Sequence, residues 1–410
     1  MPVIPPAGRT ERAFLACAAG FLLIAPFPSS AGWRVFFLLA ATAALLWRAW
    51  RREAALDLRL VPRPFLLAVL VWAALCASSL AWSADPGYTL QELRRELLYG
   101  ALTFVVFFAG TREPAHLHLW LKVLLAGALI LGLGEWLRQL FPAVTVLRKA
   151  SLGSGTYSTH VLLVAPLLVI VVWPPPMGLA RSAGFTIGMA VVLMLAGLAT
   201  DSRILWLALL VAAAVAFVTF RAGDRSGQAG RGTAKLAFLA ALAILPLLMW
   251  MTAEYKLRVY PLASGAVESL AFDERPFVWD AAMRKLEERP WLGHGYGREI
   301  VGDAIRKPLE AIGSKNNLGH GHNVFLDAAL QLGMAGWTAL IALFGAFAWA
   351  LASLRRHEES EPLAIAGLAI LAGYLTKNLT DDFFFRPNSL VFWAIAGMLL
   401  GAGARVRARS

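Results

Sequence analysis

Apolar stretches long enough to form helices recur along the chain, broken by short polar segments, at 13–31, 33–50, 64–82, 96–110, 119–140, 158–173, 183–200, 204–220, 235–252, 323–350, 362–379 and 389–404. A bilayer core of about 30 Å takes roughly 20 apolar residues per helix. The pattern therefore predicts an all-α polytopic membrane protein with about 12 transmembrane helices. Arg9 and Arg12 precede the first stretch and Ser29, Ser30 and Ala31 end it, as in a cleaved signal peptide. The second stretch follows almost at once, and alternation of sides needs the first, so the first is read as a retained helix. Only one connection on the outer side is long. Residues 253–322 carry charge, Pro, Gly and helix signals, which predicts a small extracytoplasmic subdomain. The expected organisation is 1–252 for spans one to nine, 253–322 for the loop subdomain and 323–410 for spans ten to twelve.

Composition removes the alternatives. Over 410 residues, 59% are hydrophobic and 16% charged, with a mean hydropathy of +0.63, values unlike those of a soluble globule. The net charge of +12 acquires meaning only when sorted by side. With the amino terminus inside, Arg48, Arg51, Arg52, Arg59, Arg63, then Arg221, Arg225, Arg231 and Lys235, then Arg355, Arg356, Arg405, Arg407 and Arg409 all fall on the cytoplasmic side. That bias places both termini in the cytoplasm, and the basic excess is read as topological, with the phospholipid bilayer rather than nucleic acid as partner. The Gly/Arg-rich stretch 221–232 reads as a flexible cytoplasmic loop. Cys17 and Cys76 lie in apolar stretches and are read as small core residues.

Ionisable residues near membrane depth are costly and therefore informative. Three segments on the outer side place them at helix starts. Thr200, Asp201, Ser202 and Arg203 form a very short turn; Arg203 there is either an interfacial anchor or a site residue. Arg275 precedes Pro276, a residue suited to the first turn of a helix that Pro290 and the following glycines end. It pairs with Asp273 or Asp280 on a solvated face, or it binds an anion. In the third segment, His320-Gly321-His322-Asn323, Asn323 is a natural N-cap for span ten. A helix amino terminus disfavours an imidazolium, and a neutral imidazole accepts a proton, so His322 is a candidate general base. Helix starts with arginines suit a phosphate-bearing substrate. The two histidines also raise a metal site with His294, Glu299 or Asp303, but the spacing is no zinc signature and neither HExxH nor CxxC accompanies it. The expectation is no metal and no cofactor.

These residues resemble the O-antigen ligase and polymerase superfamily of bacterial envelope glycosyltransferases. His320 to Asn323 with Leu326, followed by Leu332 to Gly336, is similar to the family's HxHN-to-GxxG signature. Arg275 to Gly297, with Trp279, Pro290, Gly293 and Gly295, looks like its R…W…P..G.G segment. Thr200 to Trp206 resembles its outer turn, and Arg148 to His160 is a weaker match. The resemblance implies a GT-C-like enzyme of the bacterial inner membrane with a periplasmic site. It would move glycan from undecaprenyl diphosphate to an acceptor by an inverting, metal-independent displacement. Carried over residue by residue, Arg203 and Arg275 would hold the diphosphate and His322 would be catalytic, with His320, Asn323, His294 and Arg148 in support. The length and the absence of a large carboxy-terminal periplasmic domain are more like a ligase, acting on lipid A-core, than a protein O-oligosaccharyltransferase; a polymerase uses the same donor class.

Three further readings stay open. A twelve-helix transporter would place its polar groups at the midplane in repeat-related halves, whereas here they gather at one surface. Arg94, Arg95, Arg148 and Lys149 either guide a phosphorylated glycolipid or sit among headgroups. The tract Lys377 to Arg386, with Asp381 and Asp382, is either an interfacial anchor or a wall of the acceptor cleft.

Overall fold

The structure, a computed structural model, describes residues 8–27, 29–141, 154–174, 177–179, 181–221, 228–259, 275–311 and 319–409. The helices are α1 Arg9–Ile24, α2 Ala31–Trp50, α3 Arg63–Ser78, α4 Pro86–Glu92, α5 Tyr99–Gly110, α6 Pro114–Leu140, α7 Ser154–Val164, α8 Leu168–Val172, α9 Ala183–Leu198, α10 Arg203–Arg221, α11 Gln228–Val259, α12 Arg275–Glu288, α13 Gly302–Ala311, α14 Val324–Ser353, α15 Glu361–Asn378 and α16 Arg386–Arg409. Each apolar stretch read from the sequence falls on helix. Among the described residues, eight helices are long and apolar enough to cross a membrane, with Gly184–Leu198 a shorter apolar one, against the twelve spans expected. The difference comes from short elements such as α1, with 16 residues, and α5, with 12. Helix α11 also begins at Gln228, inside the stretch expected to be a flexible loop.

The most enclosed helix is α16, which packs along α5. A Cβ at Gly397 would lie 2.6 Å from the Phe104 carbonyl, and one at Gly401 2.5 Å from that of Phe108. Small residues at this seam let the two backbones touch, the usual device where lipid supplies no hydrophobic drive between helices. Helix α15 runs beside α10, with the Gly373 Cβ position 2.8 Å from the Ala208 carbonyl. Between α4 and α5 the chain makes a π-helical turn, Leu93–Leu98, of a kind frequent at functional sites.

Helix α14 is broken at Gly333, whose φ of 65° and ψ of −162° interrupt the hydrogen-bond ladder. In an apolar setting the freed groups need partners. The loop from Pro290 to Gly297 supplies them. His294 N donates to Leu330 O at 3.0 Å and Gly295 N to Gln331 O at 2.8 Å, while Met334 N donates to Pro290 O at 2.8 Å. Gly293 and Gly333 touch through bare backbone: a Cβ at Gly333 would lie 2.2 Å from the Trp291 carbonyl carbon. The glycines of both motif segments thus form one joint. Trp82 tightens it from α3's end, donating its indole N–H to Leu292 O at 2.8 Å. A second small core of Val278, Ala282, Val301, Ile305 and Leu330 holds α12 and α13 against α14.

Candidate functional site

The joint delivers the loop subdomain to the start of α14, where the polar residues gather. Asn323 caps α14 as expected, its Oδ1 accepting from Phe325 N at 2.9 Å and Leu326 N at 3.2 Å. Its Nδ2 donates to Leu379 O at 3.1 Å, tying the histidine loop to the end of α15. Gly321 is held from both sides: its N–H donates to Asp327 Oδ1 at 2.6 Å, and its carbonyl accepts the Trp279 indole N–H at 2.9 Å. Between these anchors His322 has φ 48°, a left-handed conformation costly for a residue with a Cβ. Strain of roughly 1–3 kcal/mol persists where surrounding contacts over-determine a backbone, commonly at active sites.

His322 faces Asp381. Its Nδ1 lies 3.1 Å from Asp381 Oδ1, so Nδ1–H donates and Nε2 carries the ring's lone pair. Nε2 is buried and has no hydrogen-bond partner among the described residues. Asp381 also lies 3.4 Å from Arg298 Nη2 and 3.8 Å from His320 Nε2. Burial alone would raise the Asp381 carboxyl, but the hydrogen bond from His322 and the Arg298 charge hold it well below the usual carboxylate range.

His320 stacks on His322, ring centroids 3.9 Å apart, yet its chemistry differs. Arg298 Nη2 donates to His320 Nε2 at 2.7 Å, and the His322 backbone N–H and Asp327 lie 3.1 and 3.5 Å from Nδ1. Burial first, then the Arg298 charge, pushes its pKa down to about 3, so it is neutral. Burial pushes Asp382 up to about 6, the Arg298 charge opposing. The carboxylate loop is itself anchored by buried Lys377, which donates to Gly155 O at 3.1 Å, Thr159 Oγ1 at 2.8 Å and Ser158 Oγ.

Arg275 opens α12, one helical turn before Trp279, hence on the same side of the helix as the residue that holds Gly321. Arg203 opens α10 and is exposed. The α10–α15 contact at Ala208 and Gly373 fixes its level: Arg203 lies about 7 Å beyond Ala208, as Asn378 lies about 7 Å beyond Gly373. Both arginines therefore stand at the His322 end of the bundle. Arg148 lies outside the described residues. His294 is buried in the joint with Nε2 2.9 Å from Lys285 O, and Glu299 and Asp303 face Arg306, so these do not join the two histidines.

A metal set does assemble from His320, His322 and Asp381, whose ligand atoms all lie within 4.8 Å. Arg298, a permanent cation, already fills the His320 Nε2 position. The donor set fits a proton-transfer pair better than a divalent ion. Arg298 was not singled out by the sequence, and Asp381, read there only within an interfacial anchor or acceptor-cleft wall, has a specific partner in His322. The one available signal was a charged residue beside apolar helices.

A family model described as O-antigen ligase matches residues 187–341. A curated O-antigen ligase of Pseudomonas aeruginosa is 26% identical over 377 residues, 88% of this chain and 81% of that protein. The resemblance read from the motifs is found by both comparisons. The matched interval holds Arg203, Arg275, Arg298 and His322 and ends before Asp381.

Proposed function

We propose that this multi-pass membrane protein is an O-antigen ligase with a GT-C-like architecture, moving O-antigen glycan from undecaprenyl diphosphate to a sugar hydroxyl of lipid A-core. The observation that carries the reading is the His322–Asp381 pair, which fixes the ring tautomer and leaves Nε2 as a sheltered base. An acceptor O–H gives its proton to Nε2 as its oxygen bonds to the anomeric carbon. The bond from that carbon to the diphosphate oxygen breaks, and undecaprenyl diphosphate leaves with the electron pair, inverting the centre. Arg203 and Arg275 stabilise the departing charge, the task other enzymes give a divalent cation. Asp381 is a positioning residue that steadies the imidazolium formed.

The site belongs on the periplasmic face of the inner membrane. Arg48, Arg63, Arg355 and Arg407 lie toward the opposite ends of their helices from the end that carries His322, as a cytoplasmic basic belt requires. The test is a transfer assay with purified protein, undecaprenyl-diphosphate glycan, lipid A-core and EDTA, comparing wild type with His322→Ala. Product from wild type alone, despite chelator, is expected. Transfer by His322→Ala sinks the base assignment, and lengthening of the lipid-linked glycan instead of transfer makes the protein a polymerase.

A further inference from the structure

Below the histidine loop lie two adjoining spaces that the proposed chemistry does not use. One is an apolar groove of about 250 Å³ on the flank of the bundle, walled by α3 and α5 through Val69, Ala101 and Phe104. The other is a polar chamber of about 30 Å³, beneath Val324 and beside Arg298 and Asp382. Trp72, Glu96, Tyr296 and Phe384 line both, so the two spaces adjoin at these side chains, and the chamber borders the site through Arg298 and Asp382.

Three carboxylates, Glu92, Glu96 and Asp382, line the chamber against one guanidinium, Arg298. The π-helical turn after Glu92 sets the two glutamates side by side and buried. Glu92 Oε1 takes Arg95 and Arg386, while Glu92 Oε2, on a fully buried residue, has no hydrogen-bond partner among the described residues. Such an atom needs a donor. A diphosphate brings only acceptors and negative charge, and would meet carboxylates here. A hydroxyl or amide N–H supplies the donor, and the chamber has room for a group of that size.

Resting on the ligase reading, we infer that the groove holds an acyl chain of the glycolipid acceptor, with a hydroxyl or amide N–H at the head of that chain donating to Glu92, and that the polyprenyl chain of the donor lies elsewhere. From Val61 to Trp72 the groove runs about 17 Å at a helical rise, roughly half a hydrocarbon core and the reach of one acyl chain. The arrangement keeps the two lipids apart: the donor's diphosphate goes to Arg203 and Arg275, and the acceptor comes in past the carboxylates.

The experiment fills the groove from opposite walls, with Val69→Trp on α3 and, separately, Ala101→Trp on α5, in the full chain. Equilibrium binding of lipid A-core and of undecaprenyl-diphosphate glycan is measured for each variant that keeps the wild-type unfolding temperature. Lipid A-core should bind about tenfold more weakly or worse, a loss of about 1.4 kcal/mol, with donor affinity within about twofold of wild type. Weaker donor binding with acceptor binding intact overturns the inference, as does no change for either lipid in both variants. If both lipids bind as expected and wild type transfers nothing, the ligase reading falls while the groove assignment is supported.

Discussion

Asp381→Asn is the substitution that most directly tests how the site works. The carboxylate accepts from His322 Nδ1 at 3.1 Å, and it is ionised throughout the physiological range. A hydrogen bond to a charged group contributes about 1.5–3 kcal/mol. At 1.36 kcal/mol per decade, losing that from the transition state slows transfer about 10- to 150-fold. A second effect adds to it. The asparagine amide can present its N–H₂ to Nδ1, which moves the ring proton to Nε2 and removes the base; in hydrolases built on the same geometry this costs about 10⁴. The expected loss in kcat is thus between about 10- and 10⁴-fold, with lipid-linked donor affinity unchanged. Single-turnover transfer and separate donor binding measure the two quantities. In the His322→Ala background Asp381→Asn should cost almost nothing more, because the two residues act as a unit. Asp381→Asn within about twofold of wild type would refute the tautomer argument.

Three other outcomes follow from the geometry. Gly333→Ala puts a Cβ 2.2 Å from the Trp291 backbone at a φ of 65°, and should lower stability by about 3 kcal/mol or more, read as a fall in unfolding temperature in detergent; a wild-type value refutes the joint. Asn323→Ala removes the α14 cap and the bond to Leu379, about 1 kcal/mol each, and should reduce kcat because the bond to Leu379 aligns the histidine loop with Asp381; unchanged stability and rate would count against that alignment. The pH dependence of stability has two opposing parts. His320, lowered to about 3 from 6.5, contributes stability that is complete above about 6.5 and lost as pH falls toward 3. Asp382, raised to about 6 from 3.8, contributes stability that is complete below about 3.8 and lost as pH rises through 6. Between pH 4 and 6 the two contributions run in opposite directions, so single variants separate them. Relative to wild type, His320→Gln should gain unfolding temperature on going from pH 6 to 4, and Asp382→Asn on going from pH 4 to 6; gains in the opposite directions refute the assignments.

Local features of the fold were legible because local physics sets them. Asn323 caps a helix through the backbone N–H groups two and three residues on, and the turn ending α12 follows from Pro290 and Gly293. The joint between that turn and Gly333 was not legible. Each glycine reads as a turn or a weak helix position, and only the fold shows that two breaks complete one another. The Arg298–His320 and Asp381–His322 pairings were not legible for a related reason: Arg298 and Asp381 come from segments 22 and 59 residues away from the histidines they face, measured from His320 and His322.

The two histidines show what distance in sequence conceals. Spaced by one residue, His320 and His322 look equivalent as bases or as metal ligands. Arg298 makes them different. It donates to one ring nitrogen of His320, while Asp327 and the His322 backbone face the other, so His320 keeps no nitrogen for substrate. His322 uses one nitrogen for Asp381 and keeps the other. His320→Gln should therefore leave transfer impaired but measurable, since an amide can still accept from Arg298. His322→Gln, with no basic nitrogen, should lose it. Rates for the two variants at equal donor binding decide the point, and a less active His320→Gln than His322→Gln would reverse the roles.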